Sequence, residues 1–236
     1  MKGAFSFRPT LWPTLLTVPA VLVLIALGTW QMDRLAWKRA LIAEAEANLA
    51  EPPVTLPARI ETPETWELRR VQVRGRFLHE KEMYLTSRTR NGHVGFGIVT
   101  PFLREDGRAL LVHRGWVPMD RKDPATRADG LSSGAVAIEG VLRTDKPKGW
   151  LTPANEPENN LWFHVDLPAM AAFAGVTPVV PLLLEAAPDS DPGVYPVADP
   201  PRIELADNHL SYATIWYSLA AGLLVIYFLY HRRTRP

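Results

Sequence analysis

The chain has 236 residues, a formal net charge of +1 and no cysteine, and 47% of its residues are hydrophobic. This composition excludes a disordered chain, a collagen-like repeat and any site that needs a thiolate, such as a zinc–cysteine centre or an iron–sulfur cluster. The near-neutral charge also argues against a nucleic-acid partner, because such a partner usually requires a concentrated basic surface.

The first predicted element is an apolar helix that crosses a lipid bilayer. Residues 9–32 contain no Asp, Glu, Lys or Arg, and about 20 apolar residues suffice to cross a bilayer core. Trp12 and Trp30 lie 18 residues apart, which in a helix is a rise of about 27 Å and places one ring at each interface. A buried core helix is the alternative, although such a helix normally keeps a charged face.

This first span is predicted over residues 10–32 as an uncleaved anchor. The bulky Trp30 and Gln31 at its end do not form the small-residue site of a cleaved signal peptide. Helical spacing of apolar residues continues to about residue 49, and Pro52 and Pro53 end it. The first helix is therefore expected to project beyond the membrane.

The middle of the chain, residues 50–207, is predicted to be a β-rich domain. Between Leu68 and Phe77, apolar residues alternate with polar residues, mostly arginines, which is the pattern of a strand with one solvated face. A short helix is predicted to begin at Asp166 and to end at Gly175. Further strands are predicted at residues 81–87, 96–103, 109–117, 135–142, 161–165 and 179–185.

The second charge-free segment, residues 210–230, predicts a second transmembrane helix over residues 208–230. One of its faces carries a histidine and aromatic residues separated by alanines, namely His209, Tyr212, Ala213, Trp216, Ala220 and Tyr227. The opposite face carries the small residues Ser211, Thr214, Ser218 and Gly222. Small residues at this spacing allow transmembrane backbones to approach closely. We therefore expect the small face to pack on the first helix or on a partner helix, leaving the histidine–aromatic face free for a flat apolar ligand.

The predicted fold class is a membrane protein in which two transmembrane α-helices flank an antiparallel β-rich (α+β) extracytoplasmic domain, built as a barrel or a sandwich. The tails, residues 1–9 and 231–236, are expected to be cytoplasmic because they carry only basic charges. Arg34, Lys38 and Arg39 follow the first span and weaken this argument, but long segments translocate largely regardless of charge. In a bacterium the domain would then lie in the periplasm, with the chain in the inner membrane. The basic tail residues are Lys2, Arg8, Arg232, Arg233 and Arg235.

The search for catalytic motifs finds no phosphate-binding loop, no dinucleotide-binding turn, no zinc-protease motif and no nucleophile elbow, so no enzyme is predicted. The histidines His79, His93, His113 and His164 lack local metal-ligand spacing, and structural or solvated roles are expected for them. The histidine–aromatic face of the second span suggests haem binding, because a haem needs an imidazole ligand and an apolar pocket. An interfacial anchor is the alternative reading of His209 and its aromatic neighbours. Gln31 and Arg34 could bind a haem propionate, a lipid head group or each other at the same depth.

Five motifs extend along most of the chain. They are GTWQxxRLxWK from Gly28, VRGRF from Val73, TPF from Thr100, VHRGWVP from Val112 and NHLSYAxxWY from Asn208. In this order they resemble the Surfeit locus protein one family. The resemblance implies an assembly factor for cytochrome c oxidase, with two spans around a large domain on the periplasmic or intermembrane side.

The resemblance also implies a ligand and partners. The family is associated with delivery of haem a to oxidase subunit I, and its histidine before the second span corresponds to His209, the expected haem-iron ligand. Haem a synthase, other oxidase assembly factors and the lipid bilayer are the further expected partners. A scaffold that binds no haem, and that stabilises an oxidase intermediate or tethers haem a synthase, is the alternative. The cofactor-binding residues expected are His209, Tyr212, Trp216, Trp30, Gln31 and Arg34, with Arg114 and Trp116 as motif positions of unassigned role.

Overall fold

The computed structural model describes residues 5–7, 9–145, 148–188, 194–201 and 208–234. The basic tail residues Lys2, Arg8 and Arg235 lie outside the described residues. The chain divides into two compact units, Met1–Glu44 with Ile203–Pro236, and Ala45–Arg202. The helices are α1 (Leu11–Ala50), α2 (Leu167–Ala174) and α3 (His209–His231). The strands are β1 (Phe5–Phe7), β2 (Val54–Thr55), β3 (Arg70–Phe77), β4 (Met83–Arg90), β5 (His93–Arg104), β6 (Ala109–Pro118), β7 (Val136–Arg143), β8 (Leu161–Trp162), β9 (Val179–Ala186) and β10 (Arg232–Thr234).

The first unit is a pair of antiparallel helices, α3 and most of α1. Both helices are long and apolar enough to cross a membrane. Hydrogen bonds between side chains join them at several levels. At one end Thr10 Oγ1 lies 2.9 Å from His231 Nε2, and one turn further Thr14 Oγ1 lies 2.5 Å from the hydroxyl of Tyr227. Beyond the ends of the helices, the short strands β1 and β10 pair antiparallel.

The histidine–aromatic face of α3 packs on α1, so the prediction that this face is free was wrong, and the small-residue face does not pack on the first helix. Ala213 and Ala220 are buried and Tyr227 is half-buried, whereas the small-residue face is exposed and a Cβ on Gly222 would have no atom of another element within 4 Å. Hydrogen bonding explains the reversal. Tyrosine and histidine reach partners on α1, while the hydroxyl of Thr214 bonds to the Leu210 carbonyl of its own helix.

Close approach of the two helices comes instead from a glycine of α1. A Cβ on Gly28 would lie 2.7 Å from the ring of Tyr217, and the hydroxyl of Tyr217 lies 3.2 Å from Thr29 Oγ1. The small residue that admits the partner therefore lies on the first helix, and a tyrosine of α3 fills the space above it.

The second unit is a mixed β-sheet that closes into a barrel. Five strands form the ring in the order β3, β7, β9, β6, β5, and β5 returns to β3 through the pairing of Phe102–Arg104 with Gly75–Phe77. Strands β4 and β8 extend the sheet beyond β5, and β2 pairs with β3. The domain was predicted to be antiparallel. That holds for most pairs, but β2–β3, β4–β8 and β6–β9 are parallel.

Gly75 lies at the point where the ring closes. A Cβ at this position would lie 2.2 Å from the carbonyl oxygen of Leu103 on β5. Only glycine allows the two backbones to approach this closely, so the closing pair of strands depends on the absence of a side chain.

Alternate residues of the same strands supply two apolar clusters. On β6, Leu110 and Val112 belong to the first cluster, together with Phe102 of β5, and Leu111 belongs to the second. The second cluster is covered by α2, which begins after Asp166, whose carboxylate accepts a bond from the Ala169 amide, and ends at Gly175 with φ of 59°. These ends confirm the predicted short helix. The core thus has one layer within the ring and another beneath α2.

Candidate functional site

Gln31 and His209 meet at one end of the helix pair. His209 is the first residue of α3, and its Nδ1 lies 2.7 Å from Oε1 of Gln31 on α1. Gln31 is 9% exposed, although it follows a long run of apolar residues. A buried amide in such a position requires a polar partner, and His209 supplies one. Of the expected site residues on the two helices, these two are brought into direct contact.

This contact fixes the tautomer of the imidazole. The amide oxygen of Gln31 can only accept, so Nδ1 of His209 donates and the lone pair of the ring lies on Nε2. A haem-ligating histidine needs this arrangement, with one nitrogen for the iron and an N–H bond from the other that orients the ring. The donor set of His209 with Gln31 therefore fits an axial haem ligand and its supporting residue.

The aromatic residues near this end have different environments. Trp30 is 57% exposed and Tyr212 is 51% exposed, whereas Trp216 is half-buried on the face toward α1. The guanidinium of Arg34 lies 3.9 Å above the ring of Trp37. Arg34 thus stacks on an aromatic ring of its own helix, and Gln31 bonds to His209, rather than the two bonding to each other.

Arg114 belongs to the barrel and lies at an irregularity of the β5–β6 ladder, between the pairs Ile98–Gly115 and Val99–His113. Its guanidinium donates to the carbonyl oxygen of Gly130 and lies 4.6 Å from the ring centre of Phe77. Burial lowers the pKa of Arg114 to about 10, and the positive charge of Arg127 acts in the same direction. The bulge therefore turns a cation into the protein rather than toward water.

His79, for which a structural or solvated role was expected, lies next to Arg114. Its Nε2 donates to the carbonyl of Ser132 over 3.0 Å, so its Nδ1 accepts from Arg114 Nη1, 3.4 Å away. Burial lowers the pKa of His79, and the charge of Arg114 lowers it further. A neutral imidazole thus lies against the guanidinium of the half-buried Arg114.

Trp116 fastens the segment that leads out of the barrel. Its backbone pairs with that of Val197 through two bonds of 2.9 Å, and its indole N–H donates to the carbonyl of Arg88 over 3.2 Å. Arg90 of β4 forms an ion pair with Asp199 of the same segment. The role that the structure gives Trp116 is to hold the described residues 194–201 on the sheet.

A buried ion pair between Arg127 and Glu82 was not predicted from the sequence. The two side chains are 1% and 2% exposed, and they are in direct contact. Glu82 Oε2 and Arg127 Nη1 have no hydrogen-bond partner among the described atoms. The residues are 45 apart in the chain, and neither lies in a motif, so no local pattern indicated the pairing. In the described part of the chain, no three His, Asp or Glu side chains form a metal-binding group.

The comparisons with known proteins match this chain over most of its length. The SURF1 family model matches residues 18–221. A SURF1-like protein of Monosiga brevicollis is 36% identical, with 94% of this chain and 88% of the relative covered. Surfeit locus protein 1 of Mus musculus is 35% identical, with 94% and 76% covered. The protein of the same name from Homo sapiens is 36% identical, with 89% and 74% covered.

Proposed function

Because the chain belongs to the SURF1 family, we propose that it is an assembly factor for a haem–copper cytochrome c oxidase, one that binds haem a and assists its delivery to oxidase subunit I. It acts by binding rather than by catalysis. Haem a synthase and other oxidase assembly factors are its further partners. The proposal rests on family membership for the oxidase and on the geometry of the helix pair for the haem.

The proposed location is the inner membrane of a bacterium, with α1 and α3 spanning it. Both helices meet the length and composition of a span, and the antiparallel pairing puts Thr10 and His231 at one end and Gln31 and His209 at the other. The basic tails favour a cytoplasmic location for the first of these ends. The chain between the two helices would then lie in the periplasm.

The observation that carries haem binding is the bond between His209 and Gln31. It supports an imidazole through Nδ1 at the end of an apolar helix pair, where Trp30 and Tyr212 are exposed on the same two helices. Haem a would supply an iron centre that takes an imidazole ligand, and His209, oriented by Gln31, would hold it. A transient carrier must bind haem tightly enough to protect it and weakly enough to release it, and a single protein ligand suits both needs.

The test is to reconstitute the full chain, in detergent, with haem a and to measure the absorption spectrum and the bound stoichiometry. His209→Ala is expected to abolish stoichiometric binding. Gln31→Ala leaves the ligand but removes its orienting bond, and should weaken affinity about tenfold or more. His93→Ala is the matched control, since His93 is exposed on β5 of the barrel. A spectrum and stoichiometry unchanged in His209→Ala would overturn the ligand assignment.

A scaffold that binds no haem is the second candidate, and a specific observation favours it. The histidine–aromatic face of α3 packs on α1, so the bond between Gln31 and His209 also serves as a contact that holds the helices together. The scaffold predicts apo protein that still co-purifies with subunit I when haem a is being made. The carrier predicts that this co-purified protein holds haem a.

A further inference from the structure

The barrel domain contains a cavity of about 550 Å³ that the proposed function does not use. Polar and apolar surface contribute about equally to its wall, and the apolar part includes Phe77, Ile138, Ala187 and Tyr195. Arg114 also lines it. Ligand pockets in proteins typically have volumes of about 300–1,000 Å³, apolar walls and a few polar groups that fix orientation. The cavity has a volume in this range, and its wall combines an apolar part with polar groups, Arg114 among them.

The contacts described for Arg114 are all with neutral groups. They are the carbonyl oxygen of Gly130, Nδ1 of His79 and the ring of Phe77. The nearby carboxylate of Glu82 is instead in direct contact with Arg127. A guanidinium withdrawn from water is ordinarily paired with an anion, because unpaired burial of a charge costs free energy. Within the described residues, Arg114 forms no hydrogen bond or ion pair with a carboxylate, and the charge of Glu82 acts on it only from a distance.

The acidic residues of the cavity wall do not supply the missing anion. Glu139 is engaged elsewhere, 3.7 Å from Arg70 and 3.3 Å from Gln72. Asp129 is exposed, so water screens its charge. Among the described contacts, neither carboxylate of the wall bonds to Arg114, whose guanidinium lies against the ring of Phe77.

We propose that this cavity binds an apolar molecule that carries one carboxylate, with the carboxylate on Arg114 and the apolar body against Phe77, Ile138 and Ala187. The planar guanidinium suits this group because it can donate two parallel bonds to the two carboxylate oxygens. His79 stays neutral with its lone pair toward Arg114, so it adds no charge of its own and keeps the guanidinium oriented. The site lies wholly within the barrel and is independent of His209.

The probes are a matched series with a phenyl ring and a four-carbon chain: 4-phenylbutyrate, 4-phenylbutanol and 4-phenylbutylamine. Binding to the full chain in detergent is measured by isothermal titration calorimetry at neutral pH. The acid is expected to bind at least about tenfold more tightly than the alcohol, because a hydrogen bond to a charged group contributes more than a neutral one. The amine should bind more weakly than the alcohol.

Two variants separate charge from shape. Arg114→Gln removes the charge. It should lower the affinity for the acid about tenfold or more and leave the affinity for the alcohol nearly unchanged. Ala187→Trp fills the apolar part of the cavity without touching the arginine, and should weaken both ligands. Arg76→Gln, which removes an exposed arginine from β3, is the control and should change neither affinity.

Several outcomes would overturn the proposal: equal affinity for acid and alcohol, no binding of the acid, or full affinity of the acid in either cavity variant. If Arg114→Gln does not fold, the ligand series and Ala187→Trp decide the question alone. His209→Ala is expected to retain full affinity for the acid, so failure of haem binding and failure of this site are separate results.

Discussion

Buried polar side chains are paired differently in the two units: by neutral hydrogen bonds in the helix pair and by a pair of full charges in the barrel. In the helix pair, hydroxyls, an amide and imidazoles bond across the two helices, as between Thr14 and Tyr227 and between Gln31 and His209. In the barrel, the least exposed of the described ion pairs joins Arg127 and Glu82. The strands also contribute their side chains to two apolar clusters.

This difference follows from what drives each unit together. Burial of apolar side chains away from water stabilises the barrel strongly enough to offset the desolvation of a charge pair. In the proposed membrane location, two apolar helices would gain little from burial, since lipid is as apolar as their side chains. Packing and neutral hydrogen bonds must therefore set their register. Substitutions in the two units should accordingly have effects of very different size.

The largest effect is expected for the buried ion pair of the barrel. Arg127→Met leaves Glu82 charged and buried, which should lower the free energy of unfolding by about 3–5 kcal/mol. Replacing both residues, Arg127→Met with Glu82→Leu, should restore most of that loss. The measurement is chemical denaturation of the full chain in detergent, followed by near-ultraviolet circular dichroism.

The control for this pair is Arg70→Met, because the ion pair of Arg70 with Glu139 is largely exposed, with 37% and 40% of the side chains accessible. Its loss should lower stability by about 1 kcal/mol or less. Equal effects of Arg127→Met and Arg70→Met would show that burial of charge has no special weight in the barrel.

An intermediate effect is expected from acid, and it should come from the barrel. Burial lowers the pKa of His113 from 6.5 to about 4, with the charge of Arg88 acting in the same direction. The folded state then binds a proton less readily than the unfolded state. The contribution of the neutral His113 to the free energy of unfolding is complete above about pH 6.5. It is lost as the pH falls toward 4, by up to about 3 kcal/mol.

His113→Gln should flatten the dependence of the free energy of unfolding on pH in this window, whereas His93→Gln, at an exposed position, should leave it unchanged. Denaturation curves at a series of pH values provide the measurement. The histidine assignment fails if the slope of wild type and His113→Gln is the same between pH 6.5 and pH 4.

The smallest effect is expected in the helix pair. Tyr227→Phe removes the hydroxyl that bonds to Thr14, and one such interhelical bond contributes about 0.6 kcal/mol. Tyr230→Phe is the matched control, since the side chain of Tyr230 is 68% exposed. Thermal unfolding of the full chain in detergent measures both variants. A loss of several kcal/mol in Tyr227→Phe would remove the contrast between the two units.

The sequence predicted the elements better than their partners. Charge-free segments indicated both apolar helices, and the alternation from Leu68 to Phe77 indicated β3, because these patterns are local. The parallel pairing of β6 with β9 and the return of β5 to β3 join distant residues, which no local period records. Gly75 marks the point where the ring closes, but a glycine in a strand pattern by itself does not identify the neighbour that approaches it.

The candidate site was predicted in part for the same reason. His209 and Gln31 stood out because polar residues at the ends of apolar segments are rare, although their contact could not be read from sequence. The packing face of α3 was assigned by residue size, and the structure shows that hydrogen-bond partners on α1 decide it instead. The ion pair of Arg127 was missed because its partner, Glu82, lies far along the chain, and for the same reason the contact of His79 with Arg114 could not be read from the sequence.

Closure of the barrel also constrains how this domain can meet another protein. In a ring of strands, backbone donors and acceptors are largely satisfied by neighbours, and the sheet ends in β2 and β8, which have two residues each. A partner that binds by adding its own strand requires a long free edge. Recognition of the closed ring by other proteins would therefore use side chains and connecting loops, and among the described strands an added strand has room only along β4, where β8 pairs with Tyr84 and Leu85 alone.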